Sequence, residues 1–280
     1  MTPDARSFVG LMTLEPHGAD AFVGISPRYE WGRLYGGQVV AQALRAACLT
    51  VDDEHRVHSL HAYFIRGGSI EEPVRYEVDR VRNGRSFMTR RVVARQSGGA
   101  ILTLEASYQI HEDEADVQTA QMAPNLPAPE GLEPDGWGWI MDRRPIDHRI
   151  GSGRATGWVK ITEELPDDQD LLACGLAFTS DTIQFGSARS AHPLQVPRAQ
   201  HRQTFMGASL DHAIWFHRPV RPDQWHLFDF TCRTLTGARG ITIGDVFAAD
   251  GTHAATVAQE VLLRVRRPDG GRTAEADEPL

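Results

Sequence analysis

Several side chains in this 280-residue chain are of types that do chemistry, and their spacing decides among the readings. Asp211-His212 and His217 put a carboxylate and two imidazoles in one short stretch, the raw material of a metal site or a charge relay. In an extended strand, however, His212 and His217 are five residues apart and point to opposite faces, so one ion cannot take both. They read as packing or interface residues. A serine hydrolase would carry its nucleophile on a Gly-x-Ser-x-Gly elbow, and the sequence contains none. Gly151-Ser-Gly153 followed by Gly157 has neither the spacing nor the strand-then-helix setting of a dinucleotide fingerprint and reads as a flexible turn. Arg82, Arg85, Arg90, Arg91 and Arg95 form a basic stretch. Its plainest reading is a solvated strand face, and a phosphate contact is the functional alternative. The three cysteines, Cys48, Cys174 and Cys232, show no C-x-x-C spacing, which argues against a disulfide framework or a zinc site and for a reducing cytoplasm.

The elements that would position such groups come in two copies. His61-Ala-Tyr-Phe-Ile-Arg66 recurs as Ala213-Ile-Trp-Phe-His-Arg218, and Gly99–Gln109 aligns without gaps on Gly251–Val261, both at an offset of 152. A shared offset over two separated segments indicates a duplicated domain. In the first copy, Tyr35–Cys48 has the helical periodicity of Val39, Val40, Ala43, Leu44 and Ala47. Strands are expected at 58–66, 74–82, 86–96 and 100–111, separated by turns such as Asn83-Gly84. The second copy offers a strand at 157–162, a helix over 170–186, and strands at 209–218, 226–234, 241–248 and 254–266. The proline-bearing stretch from about Glu112 to Gly136 has the composition of a linker. The boundaries expected are a first domain over 1–112, a linker over 113–153, a second domain over 154–267 and a disordered tail over 268–280. A helix followed by an antiparallel sheet, twice, is an α+β arrangement. A net charge of −8 disfavours nucleic acid and anionic membranes, and no apolar run is long enough to span a bilayer. The N-terminal stretch lacks a signal-peptide layout.

Three stretches in the first half carry a family resemblance: Leu34-Tyr-Gly-Gly-Gln-Val-Val-Ala-Gln-Ala43, His58–Arg66 and Gly84–Gln96. In the second half they are joined by Thr179-Ser-Asp181, Ser209–Pro219, Ala238-Arg-Gly240 and Gln259-Glu260. Together they resemble the type II acyl-CoA thioesterases, from about Val23 to Arg266. The resemblance implies a double hotdog, two helix-wrapped antiparallel sheets in one chain. It implies an acyl-CoA substrate, no cofactor, no metal, and a homodimer or higher homo-oligomer. By local motif the catalytic trio falls on Asp181, Ser209 and Gln259, with Ser209 where other members have threonine. Substrate contacts fall on Gly36, Gly37, Arg85 and Arg91.

Without that resemblance, Asp181 reads as a helix-cap carboxylate, Ser209 as a strand-end hydroxyl and Gln259 as a buried amide. As a trio they suit hydrolysis, because a carboxylate accepts a proton from water while a hydroxyl and an amide hold that water in place. Were Asp181 near the start of the second-half helix, free backbone N–H groups would stabilise negative charge beside it. At the repeat offset Gln259 corresponds to Ser107, and by motif Asp181 corresponds to Gln38, so one active site per chain is expected, walled by the first hotdog. Two rivals stand beside the hydrolase. One is a hotdog enoyl-CoA hydratase, whose Asp–His dyad is missing here, since Gly186 stands five after Asp181. The other is a non-enzymatic acyl-CoA-binding sensor.

Overall fold

A computed structural model describes residues 4–146, 151–194, 196–197 and 200–266; the expected tail at 268–280 lies outside them. Thirteen strands form one antiparallel sheet: β1 (Glu15–Pro16), β2 (Ala21–Gly24), β3 (His55–Phe64), β4 (Val74–Asn83), β5 (Phe87–Gln96), β6 (Gly99–Ile110), β7 (Met141–Ile146), β8 (Arg154–Ile161), β9 (Phe205–Ser209), β10 (Asp211–Phe216), β11 (His226–Thr236), β12 (Arg239–Ala248) and β13 (His253–Val265). Their spatial order is β1-β2-β4-β5-β6-β3-β10-β13-β12-β11-β8-β7, with β9 on β13. The repeated segments supply the four central strands, β6-β3-β10-β13. At the junction Ala213 faces His61 and Trp215 faces Ser59, so the halves are fused through backbone hydrogen bonds. The strand path ends on both sides in proline-bearing edges, Pro16 in β1 and Pro145 in β7.

Each half wraps a helix, α2 (Gly36–Cys48) in the first and α3 (Gln169–Ser180) in the second. Eleven of the residues of α2 are buried, and Leu171 to Ser180 of α3 are buried without a break. Helices buried on every side need neighbours on every side, and the curved sheet provides them. The result is the double hotdog.

The two helices also pack on each other, the start of α2 against the end of α3. A Cβ on Gly37 would stand 2.4 Å from the Phe178 carbonyl oxygen and 2.7 Å from the Tyr35 ring. Tyr35 locks the same junction by donating its hydroxyl to the Phe178 carbonyl at 2.8 Å, edge-on to the Phe178 ring.

Several expectations shift. The second-half helix stops at Ser180 and restarts as α4 (Gln184–Ala191), because side-chain hydroxyls there compete for helix carbonyls. Thr179 Oγ1 bonds the Gly175 carbonyl, Ser180 Oγ bonds that of Ala177, and Thr182 Oγ1 bonds that of Thr179. The strand at 209–218 is likewise broken at Leu210. Opposite β13, the five residues from Ser209 to Ala213 span the four from Ala258 to Val261, which is a one-residue bulge. Met141–Ile146, inside the expected 113–153 linker, pairs with β8 as the edge of the second half of the sheet. The remaining linker lies on the outer face of that sheet, with Met122, Leu126 and Leu132 packed against Trp158, Leu227 and Phe247. Arg90, expected on a solvated face, is 1 % exposed and gives its guanidinium to Thr50 Oγ1 and to the Thr50 and Arg82 carbonyls.

The crowding at Gly37 sets a stability prediction. Gly37→Ala is expected to lower unfolding free energy by about 1–3 kcal/mol through forced separation of α2 and α3. Urea denaturation measures it, and an unchanged midpoint would show that the junction yields without strain.

Candidate active site

The break after α3 places Asp181 as the C-cap of that helix, at the end rather than the start of the second-half helix. The backbone N–H groups expected beside it come instead from the first half. Tyr35, the N-cap of α2, makes no side-chain capping bond, and the two residues that follow it are glycines. Asp181 approaches this helix start so closely that a Cβ on Gly36 would stand 2.5 Å from Asp181 Oδ2. The Gly37 N–H bonds the carboxylate. The positive end of α2 thereby offsets the negative end of α3, to which Asp181 belongs.

The bulge at Leu210 does the rest. Leu210 N–H donates to the Glu260 carbonyl at 2.9 Å, while the Asp211 carboxylate takes the Glu260 N–H at 2.6 Å in place of a ladder bond. Ser209 Oγ then donates to Asp181 Oδ1 at 3.0 Å. Gln259 Nε2, from the middle of β13, donates to Asp181 Oδ1 at 2.8 Å and to Ser209 Oγ at 2.7 Å. Asp181, Ser209 and Gln259 thus form a closed triangle of hydrogen bonds across 78 residues of chain. Gln259 is fully buried and spends both amide protons inside the triangle, so it acts on the cavity only through its two partners.

Asp181 and Ser209 line a cavity of about 860 Å³ between the halves. One wall is apolar, with Leu34, Val39, Phe64, Phe185 and Leu263. Arg33, Arg66, Arg202 and Arg266 are among the residues that line it. Gly36 lines the cavity too, whereas Gly37 is buried behind it. Arg85 and Arg91 stand elsewhere: Arg85 is exposed in the β4–β5 turn, and Arg91 is half exposed and paired with Glu105 at 2.9 Å.

Burial pushes the Asp181 carboxyl above the usual carboxylate range. The nearby His212 and the donors on Gln259, Ser209 and Gly37 draw it back only in part. A carboxylate with raised basicity, anchored through one oxygen and facing a cavity, is equipped to take a proton from water. Sequence reasoning missed His212, which is buried with Nδ1 2.6 Å from Gln259 Oε1 and so joins this network rather than packing passively. Simple alternation puts Ser209 and His212 on opposite faces of one strand. The bulge between them turns both inward, and nothing in the sequence marks it. The equation of Asp181 with Gln38 also fails structurally, since Gln38 sits at the start of α2 and Asp181 at the end of α3. Ser107, the counterpart of Gln259, bonds His58 Nε2 at 2.8 Å.

A profile for the acyl-CoA thioesterase N-terminal domain matches residues 25–109, and one for acyl-CoA thioesterase matches 140–262. The mouse acyl-coenzyme A thioesterase 8 is 32 % identical over 306 residues, covering 95 % of this chain and 92 % of that protein. The chain belongs to the type II acyl-CoA thioesterase family. Acyl-CoA thioesterase 2 of Haemophilus influenzae is 30 % identical, covering 94 % of this chain and 99 % of the relative. Among solved structures, the acyl-CoA thioesterase II TesB2 of Mycobacterium marinum superposes with a TM-score of 0.78 at 35 % identity, over 91 % of this chain and 97 % of that one. Members are thioester hydrolases, and this chain is an enzyme of that class. Among the described residues, no helix is long and apolar enough to cross a membrane.

The raised Asp181 pKa fixes a sign. A carboxylate acting as a base must be ionised, so with Asp181 in that role activity is expected to fall as pH drops through its pKa, placing the acid limb of kcat/KM above the ordinary aspartate range. Ser209→Ala removes a donor that lowers this pKa, and should move the limb further up while reducing the rate on the order of 10-fold or more. A pH profile of thiol release from an acyl-CoA reads both effects.

Proposed function

We propose that the chain hydrolyses fatty acyl-CoA to a free fatty acid and coenzyme A by direct attack of water, with Asp181 as general base. The observation that carries this reading is the division of labour on one carboxylate. Asp181 Oδ1 is held by Ser209 and Gln259, while Oδ2 lies against the Gly36 backbone at the cavity wall. Water donating to Oδ2 would have the Ser209 hydroxyl as a second contact, which fixes its orientation. As its oxygen bonds to the thioester carbon, its proton passes to Asp181. The carbonyl oxygen becomes an oxyanion, for which the Gly36 N–H at the start of α2 supplies a donor, the Gly37 N–H being held by Asp181. Collapse breaks the carbon–sulfur bond, and the proton held by Asp181 goes to the departing thiolate. Gln259 serves as the brace of the pair.

The apolar wall suits an acyl chain, and the guanidinium groups of Arg33, Arg66, Arg202 and Arg266 suit the phosphates of coenzyme A. These four line the cavity that Asp181 and Ser209 line, whereas Arg85 and Arg91, the pair suggested by motif, do not.

Thiol release from a panel of acyl-CoAs tests the reading. Wild-type protein is expected to turn over, and Asp181→Asn to lose ~10²-fold or more. Binding without thiol release by the wild type would favour an acyl-CoA sensor, and full activity in Asp181→Asn would remove Asp181 from the base role.

A further inference from the structure

Gln259 braces the site correctly in only one of its two amide orientations, and its neighbours determine which. Behind it, His212 Nδ1 lies 2.6 Å from Gln259 Oε1, and His212 Nε2 lies 2.7 Å from Ser180 Oγ. Both His212 and Ser180 are buried, at 1 % and 0 % exposure, and neither lines the cavity. We infer that His212, held by Ser180, is a positioning residue that fixes the orientation of the Gln259 amide and through it the carboxylate of Asp181.

The argument follows the protons. The Asp181 carboxylate only accepts, so Gln259 must turn its NH2 toward Asp181 and Ser209. Its carbonyl then faces His212 Nδ1, and that contact holds only if Nδ1 carries a proton. Burial lowers the His212 pKa, with the neighbouring Asp181 and Asp211 carboxylates pulling the other way, so the ring is neutral near pH 7 and has one N–H to give. With that proton on Nδ1, Nε2 can only accept, so the single Ser180 hydroxyl proton turns from the Ala177 carbonyl, its other acceptor within reach at 2.9 Å, to Nε2 at 2.7 Å. The donors then run one way, Ser180 to His212 to Gln259 to Asp181, and aligned bonds of this kind polarise one another. Swapping the Gln259 oxygen and nitrogen would set an oxygen against the carboxylate and an NH2 against the His212 N–H. The imidazole therefore makes the wrong amide orientation costly on both sides. The arrangement begins where α3 ends: Ser180 is its last residue and Asp181 its C-cap, so both ends of the chain of donors hang from one helix terminus.

This inference rests on Asp181 as the base, and the tests separate the two. The histidine ring nitrogens of uniformly 15N-labelled wild-type protein are assigned by comparison with His212→Asn. A proton on Nδ1 of His212 at neutral pH is expected, whatever Asp181→Asn does to turnover. A proton on Nε2 would overturn the inference. In kinetics, His212→Phe keeps a ring but donates nothing, and is expected to lower kcat on the order of 10-fold or more with KM little changed. It should also shift the acid limb upward, because Asp181 loses an oriented donor. His212→Asn places an amide nitrogen near the position of Nδ1 and should recover most of the loss. A His212→Phe protein with the kcat and acid limb of the wild type, or an Asn variant no better than the Phe variant, would reduce His212 to packing. If His212→Phe does not fold, the ring-nitrogen spectrum of the wild type decides alone.

Discussion

The meeting of two helix ends governs this molecule. The start of α2 and the end of α3 approach so closely that Gly36 and Gly37 have no room for a side chain. That contact joins the halves at their cores, as the β3–β10 ladder joins them at the surface. It also places a carboxylate from one half against the backbone N–H groups of the other. Neither half contains the site alone: the acid, hydroxyl and amide come from the second, and the electropositive helix start comes from the first. The two helix-wrapped halves thus share a border that carries an asymmetric site.

Electrostatics at that border are balanced rather than relaxed. A buried carboxylate at the negative end of its own helix is costly, and the start of α2, Ser209 and Gln259 offset part of that cost. What is left uncompensated appears as raised basicity, the property a general base needs. A fully compensated Asp181 would be more stable and less reactive. The same trade recurs in the hydroxyl-rich run Thr179–Thr182, which ends α3 early and sacrifices helical hydrogen bonds to expose the acid at the cavity.

Much of this was legible in the residues. The offset of 152 identified the four central strands, and the alanine-rich periodicity of 35–48 identified the first wrapped helix. The motifs named an acid, a hydroxyl and an amide that fold into hydrogen-bonding contact. What escaped were the interruptions. The helix break at Asp181 comes from side-chain hydroxyls bonding their own backbone, and the bulge at Leu210 from Asp211 standing in for a ladder acceptor. Neither leaves a mark on hydrophobic periodicity, yet together they aim Asp181, Ser209 and His212 at one point. Arg90 was misread for a related reason: a guanidinium satisfied by carbonyls and a hydroxyl can be buried without an acid, and composition does not reveal such a nest.

The edges of the sheet carry a different consequence. A twelve-strand ribbon of paired backbones would ordinarily present two open margins, each able to recruit another strand and grow into a fibre. Here one margin is a two-residue strand ending in Pro16, and the other is interrupted by Pro145, where a donor for further pairing is missing. The ribbon is closed to lengthening at both ends. A further strand would find little free backbone at either margin, which leaves the broad faces and loops, where side chains rather than backbone decide what fits.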